Sequence, residues 1–365
     1  MKKANQMRAG LESLACINPG CELYGQPEQE NLTVRKVYGN DGIRYLRCRR
    51  CQCEFSERKN TGLWNTKIAE TKAIAVAEHL ADGCSLKGIA RLVKVDASTV
   101  RRLNQRIGAH GAAFHQARAQ NVQVKVLEGD ERHGYAGNKQ QPAWEGELFD
   151  PASKFVLSHV QGERDQTLIE RLLRDGASRL ATPKDLVLMT DGDANYAALF
   201  PAVFGQPYQP PRQGGRGRLP LVQFRIPRTL AHVQVIKHRT QRRLVQLEIR
   251  YTHGSQKRVR QALTSLGYKL PNTSAIERRN GTHRLMTSFQ TRKTLAFARR
   301  PETKAALGWW NTTVYNWCRP HRSLRQLLAV PTGHRLYQQR SPAMAIGLAN
   351  RIFSIAELLL FPVYP

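Results

Sequence analysis

The chain has 365 residues and a formal net charge of +29, because 57 lysines and arginines outnumber 28 acidic residues. An enzyme of small neutral metabolites needs no such excess of cations, which indicates a polyanionic partner. With 41% hydrophobic residues, the chain can form a packed core and is not mainly disordered. Its length suggests two or three domains. The longest apolar candidate, Ile355–Phe361, is far shorter than the ~20 residues of a membrane span, so no membrane partner is expected.

Five of the seven cysteines lie near the start of the chain. The first ten residues carry no apolar signal region, so we expect a reducing cytoplasmic location, where clustered cysteines are metal ligands and not disulfides. Two close pairs flank alternating segments around a turn at residues 39–42, which predicts a zinc ribbon over residues 1–63 with a structural zinc ion. The expected ligands are Cys16, Cys21, Cys48 and Cys51, and Cys53 leaves the identity of the fourth ligand open.

Residues 64–119 have the pattern of a DNA-binding helical domain. Apolar spacing predicts a helix from Thr66 to Leu80, followed by a helix-turn-helix between Ser85 and Ile107. Lys94 stands where the turn commonly holds glycine, and an ordinary helical hairpin is the alternative. The second helix would present polar and basic side chains to base edges and phosphates. They are Ser98, Thr99, Arg101, Arg102, Asn104 and Gln105.

A strict apolar alternation that begins at Val122 marks a new domain, expected over residues 120–330 and followed by a tail at 331–365. Its segments are strands at 122–130, 143–149 and 155–160, a helix at 167–180 and a buried strand at 186–189. Three antiparallel strands, a helix and a buried strand follow the chain order of the ribonuclease-H-like fold. The predicted class is therefore α/β, with a ribonuclease-H-like catalytic domain behind a zinc ribbon and a helix-turn-helix.

Positive charge is concentrated between Gly205 and Arg300, where 21 lysines and arginines accompany only two acids, Glu248 and Glu277. Cations at this density predict binding to a phosphate backbone, with RNA, an anionic membrane surface and a solvated face as alternatives to DNA. Residues 205–272 form a basic insertion, which contains a predicted hairpin with cations at its tip.

Acids in three separate elements suggest phosphodiester chemistry. Two Mg²⁺ ions about 4 Å apart can activate an attacking hydroxyl and stabilise a leaving oxygen, and Mg²⁺ prefers carboxylate ligands. Asp130 ends the first predicted strand, and Asp191 ends the buried strand, where open sheets leave ligand crevices. Glu277 lies in a predicted helix, and Arg284, two turns further along the same face, would hold a phosphate beside the metals.

Each acid has an alternative at this point. Asp193 is the alternative to Asp191, and Glu128 or Glu131 the alternative to Asp130. Glu277 could instead form an ion pair with Arg278 or Arg279, its neighbours in sequence.

Several motifs occur along the chain in a fixed order. They are Asp130-Glu131 before Gly134-Tyr135 and Lys139, Thr190-Asp191-Gly192 before Tyr196, residues 272–280 with Thr291–Thr294, Tyr315–Leu324 and Ser341–Gly347. Together they resemble the DDE transposases of bacterial insertion sequences, most of all the insertion-sequence-one family and its relatives. Arg132-His133 and the long Pro/Gly/Arg loop depart from that pattern, which leaves the target preference open.

The resemblance implies a transposase that binds the terminal repeats of its element and cuts and rejoins double-stranded DNA at the bacterial nucleoid. Asp130, Asp191 and Glu277 would bind two Mg²⁺ ions, or Mn²⁺ in their place, while Arg284, Lys293 and His321 would contact DNA near the scissile bond. A homodimer or larger synaptic complex is expected because two ends react together. The alternatives are a nuclease or resolvase of the same fold and a domesticated DNA-binding regulator without catalysis.

Overall fold

The computed structural model describes residues 10–182, 184–212, 219–241, 243–291 and 293–364. Part of the predicted Pro/Gly/Arg loop, residues 213–218, lies outside them. The chain divides into two compact units. The first comprises Met1–Arg118, Arg284–Pro320 and Arg351–Pro365, and the second comprises Ala119–His283 and His321–Asn350. These units divide the chain differently from the expected domains, because residues 284–320 lie with the amino-terminal helices.

The secondary structure alternates between short sheets and helices along the chain. The strands are β1 Leu32–Tyr38, β2 Ile43–Cys48, β3 Glu54–Ser56, β4 Val126–Arg132, β5 Tyr135–Ala136, β6 Asn138–Pro142, β7 Trp144–Phe149, β8 Val156–Gly162, β9 Leu186–Thr190, β10 Gln206–Tyr208, β11 Gln223–Arg225, β12 Leu230–Thr240, β13 Arg243–His253, β14 Gln326–Thr332 and β15 Arg335–Gln338. The helices are α1 Glu70–Ala81, α2 Leu86–Val93, α3 Ala97–Arg118, α4 Gln166–Arg179, α5 Ala194–Phe204, α6 Gln256–Leu266, α7 Ser274–Met286, α8 Pro301–Trp317, α9 Pro342–Ala345 and α10 Ile355–Leu360. Within the described ranges, no helix combines the length and the apolar character that crossing a bilayer requires.

The first unit contains a small antiparallel sheet of β1, β2 and β3, and a group of helices in which α8 packs along α3. Close approach of the two helices requires Gly108, because an added Cβ would lie 2.3 Å from the Ala306 carbonyl oxygen. Asn104 is fully buried on this contact and donates from Nδ2 to the Thr303 carbonyl at 2.9 Å. The expectation that Asn104 faces outward is therefore wrong, since it belongs to the buried stripe of α3.

Helices α2 and α3 form the expected helix, tight turn and helix. Ser85 caps α2 by accepting a hydrogen bond from Gly88 N, as a serine at this position does. Lys94 ends α2 with a left-handed backbone, φ 55°, which is the conformation that glycine usually supplies. The second helix is longer than expected and reaches Arg118.

The second unit is built on a mixed six-stranded sheet in the order β13-β12-β9-β4-β7-β8. Strands β4, β9 and β12 are mutually parallel, whereas β7, β8 and β13 are antiparallel to their neighbours. The expected sequence of three antiparallel strands, a helix and a buried parallel strand is observed, and the α/β class is confirmed. The first strand starts later than expected, at Val126, because Val122 makes only an isolated bridge with Leu180.

Side chains of β4 alternate between the two faces of this sheet. On one face Val126 packs in an apolar cluster with Ala262 of α6. Glu128, Asp130 and Arg132 follow on that face, at spacings of two residues. Gly129 lies on the opposite face, where an added Cβ would crowd Tyr196 of α5 at 3.3 Å. The apolar start of β4 thus anchors the strand, and its polar end reaches the edge where the parallel strands terminate.

Candidate functional site

The first candidate site is a cysteine cluster beside the β1–β3 sheet. The sulfur atoms of Cys16, Cys21, Cys48 and Cys51 all lie within 4.8 Å of one another. Cys16 Sγ and Cys51 Sγ are 3.5 Å apart, and Asn31 Nδ2 donates to Cys48 Sγ at 3.2 Å. Four thiolates at this spacing fit a tetrahedral zinc ion, whose sulfur ligands lie at about 2.3 Å.

Two further features of this cluster bear on the choice of ligands. Cys53 stands outside the group of four and contributes its backbone carbonyl, which accepts from Cys48 N at 2.9 Å. Although burial opposes it, hydrogen bonds from the Cys53 backbone, the Asn18 side chain and neighbouring thiols lower the pKa of Cys51 to about 6. The expected four-cysteine set is thus brought together, and the ion that it binds is not identified.

The second candidate site lies at the edge of the large sheet where β4 and β9 end. Gly129 and Thr190 are partners in the parallel register, so Asp130 and Asp191 each follow a paired residue on adjacent strands. Asp130 Oδ1 accepts a hydrogen bond from Glu131 N at 2.9 Å, and Asp191 Oδ1 accepts from Asp193 N at 3.1 Å. The structure therefore brings the first two candidate acids to one place.

Electrostatics indicate that the acids of this edge share one environment. Burial, reinforced by the carboxylates of Asp191 and Glu277, raises the pKa of Asp130 to about 6. Burial and the nearby Asp193 carboxylate raise the pKa of Asp191. Like charges that oppose one another's ionisation are stabilised by a divalent cation between them, and carboxylate oxygens suit Mg²⁺.

Glu277, the third candidate acid, lies in the first turn of α7 and is half-exposed. Lys237 at the end of β12 donates from Nζ to Glu277 Oε1 and also to Thr273 Oγ1, the latter at 3.1 Å. The expected alternative partner Arg279 instead pairs with Glu147 at 3.2 Å. Glu277 thus lies near enough to Asp130 to raise its pKa, and its carboxylate is paired with a lysine.

Helix α7 is fixed to the sheet by a fully buried ionic network. Arg132 Nη1 lies 2.8 Å from Glu147 Oε2, and Arg279 Nη2 lies 3.2 Å from Glu147 Oε1. His283 Nε2 lies 3.1 Å from Glu145 Oε2. None of these side chains has exposed surface, so loss of one partner would leave an uncompensated buried charge. The network sets the register of α7 on the sheet, and with it the position of Glu277.

The alternative acids have other partners. Glu128 is fully buried, and its Oε2 accepts from the backbone of the first turn of α7 at 2.7 Å. Glu131 accepts a hydrogen bond from the Tyr196 hydroxyl on the opposite face of the sheet. Asp193 caps α5 by accepting from the backbone at 2.9 Å. Because these three acids already accept hydrogen bonds within the fold, Asp130 and Asp191 are the favoured candidates for metal ligands.

The three acids are not gathered as tightly as the cysteines. In the part of the chain that the structure describes, the four cysteines are the one group of three or more His, Cys, Asp or Glu side chains whose ligand atoms all lie within 4.8 Å. A pair of metal ions about 4 Å apart would spread its ligands over a wider site than a single ion, so the outermost of the three acids would lie further apart than this. Glu277 would have to exchange Lys237 for a metal ion.

The candidate DNA-binding residues of α3 lie where the sequence places them. Ser98, Arg101 and Arg102 are exposed in its first two turns, and Thr99 is half-buried. Asp96 accepts from Ser98 N at 2.7 Å and so caps the helix. The exposed side chains are accessible to a ligand, and their contact with DNA remains a prediction.

The three residues expected near the scissile bond have separate surroundings. Arg284 lies in the last turn of α7, and its carbonyl accepts from Thr291 Oγ1 at 3.0 Å. Lys293 is exposed with a left-handed backbone, φ 56°. His321 caps a short turn by accepting from Ser323 N at 3.3 Å. Their proposed contacts with DNA remain untested.

Sequence reasoning missed three residues at the acidic edge, namely Lys237, Asn280 and Arg164. Asn280 donates to Asp130 Oδ2 at 2.6 Å, and its place on the buried face of α7 was a usable signal. Lys237 belongs to the predicted basic hairpin within residues 205–272, and no local pattern links it to the acids. Arg164 Nη2 lies 3.7 Å from Asp193 Oδ2, and nothing in its sequence context marked it.

Comparisons with known proteins give a limited match. No protein-family model matches the chain. The insertion element IS1 2 protein InsB of Escherichia coli (strain K12) is 34% identical, covering 22% of this chain and 50% of that protein. The insertion element IS1 protein InsB of Shigella sonnei is 39% identical over 19% of this chain and 50% of that protein. The chain thus spans about half the length of the curated relatives it matches.

A solved structure, the crystal structure of the Mos1 strand transfer complex, has a TM-score of 0.17 and 9% identity. The match covers 36% of this chain and 53% of the chain in that structure. A TM-score this low supports no conclusion about the fold. The sequence matches carry more weight. Over the matched stretch the chain is similar to InsB proteins of insertion element IS1, which confirms the resemblance to the insertion-sequence-one family.

Proposed function

We propose that this chain is a DDE-type insertion-sequence transposase with a ribonuclease-H-like catalytic domain. The observation that carries the proposal is the adjacency of Asp130 and Asp191 at the ends of β4 and β9, with Glu277 on a helix packed against the same face. The chain order within the large sheet supports the fold, because the antiparallel strands β4, β7 and β8 are followed by α4 and then by β9, which is parallel to β4. The similarity to InsB proteins supports the kind of element on which the protein acts.

The chemistry would be two successive attacks on phosphorus. Two Mg²⁺ ions, or Mn²⁺, held by Asp130, Asp191 and Glu277 would supply activation of the attacking hydroxyl and stabilisation of the leaving oxygen. Attack by water at the element end displaces a 3′ oxygen and leaves a 3′-hydroxyl. That hydroxyl then attacks a target phosphodiester and displaces its 3′ oxygen. The protein's own residues orient the acids, Asn280 and the Glu131 amide fixing Asp130.

Recognition of DNA is assigned to the first unit. The zinc ribbon and the exposed start of α3 would bind the terminal repeats, with Ser98, Thr99, Arg101 and Arg102 at base edges and phosphates. Four sulfur ligands leave no open position for water on the zinc ion, so its role is structural. Because both ends of the element react, the working form is a homodimer or larger synaptic complex on double-stranded DNA at the nucleoid.

The direct test uses purified protein, Mg²⁺ and labelled element ends. The wild type should cut the ends and join them to target DNA, and Glu277→Gln should lose both steps by at least about 100-fold, because a metal ligand is removed. Glu248→Gln is the matched control, since Glu248 is the other acid of the basic segment and pairs with His238 and Arg250 on the surface. The control should retain both activities.

Two outcomes would overturn the proposal. Ends that are cut and never joined, in reactions supplied with target DNA, would identify a nuclease or resolvase of the same fold. Specific binding of ends with no cleavage by the wild type in either metal would identify a DNA-binding regulator.

A further inference from the structure

Arg164 lies at the acidic edge in the short loop between β8 and α4. The register of β7 and β8 pairs Trp144 with Gly162, so β8 ends at the same edge of the sheet as β4 and β9. The next residue, Asp165, caps α4 by accepting from Leu168 N at 2.9 Å. This cap fixes the loop and therefore the backbone of Arg164.

The Arg164 guanidinium is held in place without its hydrogen-bonding capacity being used. Its central carbon lies 4.8 Å from the centre of the Trp144 ring, a cation–π contact, and His133 meets the same ring edge-on at 5.1 Å. Nη2 lies 3.7 Å from Asp193 Oδ2 and 4.0 Å from Glu131 Oε2. Within the described residues none accepts a hydrogen bond from this guanidinium, and the side chain is 46% exposed.

Three other cations near the acids already have ionic partners. Arg132 and Arg279 are fully buried in ion pairs with Glu147. Lys237 donates to Glu277. A guanidinium carries five N–H donors in a planar fork that matches phosphate oxygens, and those of Arg164 form no hydrogen bond within the described chain, although Nη2 is ion-paired at 3.7 Å and 4.0 Å.

The local charge explains why a cation is needed here. Asp130, Glu131, Asp191 and Asp193 all lie at this edge, and without bound metal ions their negative field repels a DNA phosphate that approaches the site. An arginine already placed between two of these carboxylates both offsets that repulsion and offers a bidentate phosphate contact.

We infer that Arg164 is a phosphate-binding residue, whose guanidinium, held over Trp144, binds nonbridging oxygens of a DNA phosphate next to the scissile one. This inference rests on the proposed transposase function. Arg164 is not a metal ligand and takes no proton in the reaction. It would position the DNA strand against the three acids.

The test measures binding of element ends in EDTA, so that no cleavage intervenes, as a function of salt. Arg164→Ala should weaken binding about tenfold and reduce the slope of log affinity against log salt by about one. Arg164→Lys should keep the slope and recover part of the affinity, because it keeps the charge and loses the fork. The matched control is Arg174→Ala, which removes an exposed arginine of α4 that pairs with Glu170. It should bind like the wild type.

Neutral methylphosphonates placed one at a time along the end identify the contact. One position near the scissile bond should weaken wild-type binding about tenfold and have no further effect on Arg164→Ala. Additive losses at every position, or an unchanged salt slope, would overturn the inference while leaving the transposase proposal intact. Failure of the wild type to bind or cut element ends would instead overturn the proposed function.

Discussion

The side-chain amide of Asn280 donates from Nδ2 to Asp130 Oδ2 at 2.6 Å. The same amide accepts at Oδ1 from Arg132 Nη1 at 2.7 Å. One carboxylate of the candidate site is therefore oriented by an arginine that is completely buried. The buried ionic network that holds α7 is in this way continuous with the acids to which α7 contributes.

Replacing Asn280 by alanine should harm both stability and cleavage. Arg132 would lose an acceptor in the protein interior, which costs about 1–3 kcal/mol in the free energy of unfolding. Asp130 would lose its orienting donor, so cleavage of element ends at saturating Mg²⁺ should fall at least about tenfold. Denaturant unfolding and single-turnover cleavage measure the two effects. The control Asn138→Ala removes an exposed amide of β6, and cleavage by Asn280→Ala at the control's rate would contradict the assignment.

Zinc should be bound at one ion per chain by the four cysteines. Cys48→Ser should release the ion and unfold the small β1–β3 sheet, because a sheet with so small an apolar core depends on its metal. Cys53→Ser should retain zinc, since that thiol stands outside the cluster. Metal analysis of the purified proteins decides this. Full zinc content in Cys48→Ser, together with loss of zinc in Cys53→Ser, would show that Cys53 and not Cys48 is a zinc ligand.

His232 should make the protein less stable in acid. It is fully buried between Thr190 Oγ1 at 3.0 Å and Thr252 Oγ1 at 2.6 Å. Burial, aided by neighbouring His253, lowers its pKa to about 3. The unfolded chain, with an imidazole pKa near 6.5, takes up this proton first, so stability falls as the pH drops from about 6.5 towards 3.

Denaturant unfolding as a function of pH would show this dependence. Over that range the wild type should lose up to about 5 kcal/mol of stability relative to His232→Gln, so the variant should have the flatter curve. His238→Gln, a surface control on the same strand, should follow the wild-type curve. Parallel curves for wild type and His232→Gln would show that the imidazole does not resist protonation in the fold.

Replacing Lys94 with glycine should stabilise the protein. Its left-handed φ of 55° strains a residue that has a Cβ, so Lys94→Gly should raise the free energy of unfolding by about 0.5–1 kcal/mol. Lys87→Gly, in the first turn of α2, should lower it by about 0.5 kcal/mol, because glycine gains backbone freedom in the unfolded chain that the helix must remove. Thermal unfolding of the two variants should therefore shift in opposite directions, and shifts of the same sign would contradict the turn geometry.

Local patterns predicted much of the fold and part of the candidate site. The apolar run Leu186–Met189 predicts a buried strand, which the structure confirms. Helical spacing predicts one face of α7 with Ile276, Arg279 or Asn280, His283 or Arg284, and Thr287. The structure buries this face except at Arg284, which is half-buried. Such patterns repeat every two or 3.6 residues and need no knowledge of distant partners. The cysteine pairs carried equally local information.

Local patterns cannot identify contacts between residues that are far apart in sequence. Asn104 looks like a surface residue by type, and its burial depends on a carbonyl at Thr303, 199 residues away. The packing of α8 along α3 likewise joins residues about 200 positions apart, as at Thr313 and Gly111. Lys237 and Arg164 are ordinary basic residues in sequence, and only the sheet topology brings them to the acids.

In the proposed function, Asp130, Asp191 and Glu277 form one metal-dependent site for cutting and joining DNA. Its most direct test is Asp191→Asn, assayed with Mg²⁺ on labelled element ends for binding, cleavage and joining. We expect end binding within about twofold of the wild type and loss of both reactions by at least about 100-fold, because one metal ligand is removed while the fold is kept. Cleavage and joining at wild-type rates, with unchanged binding, would contradict the claim.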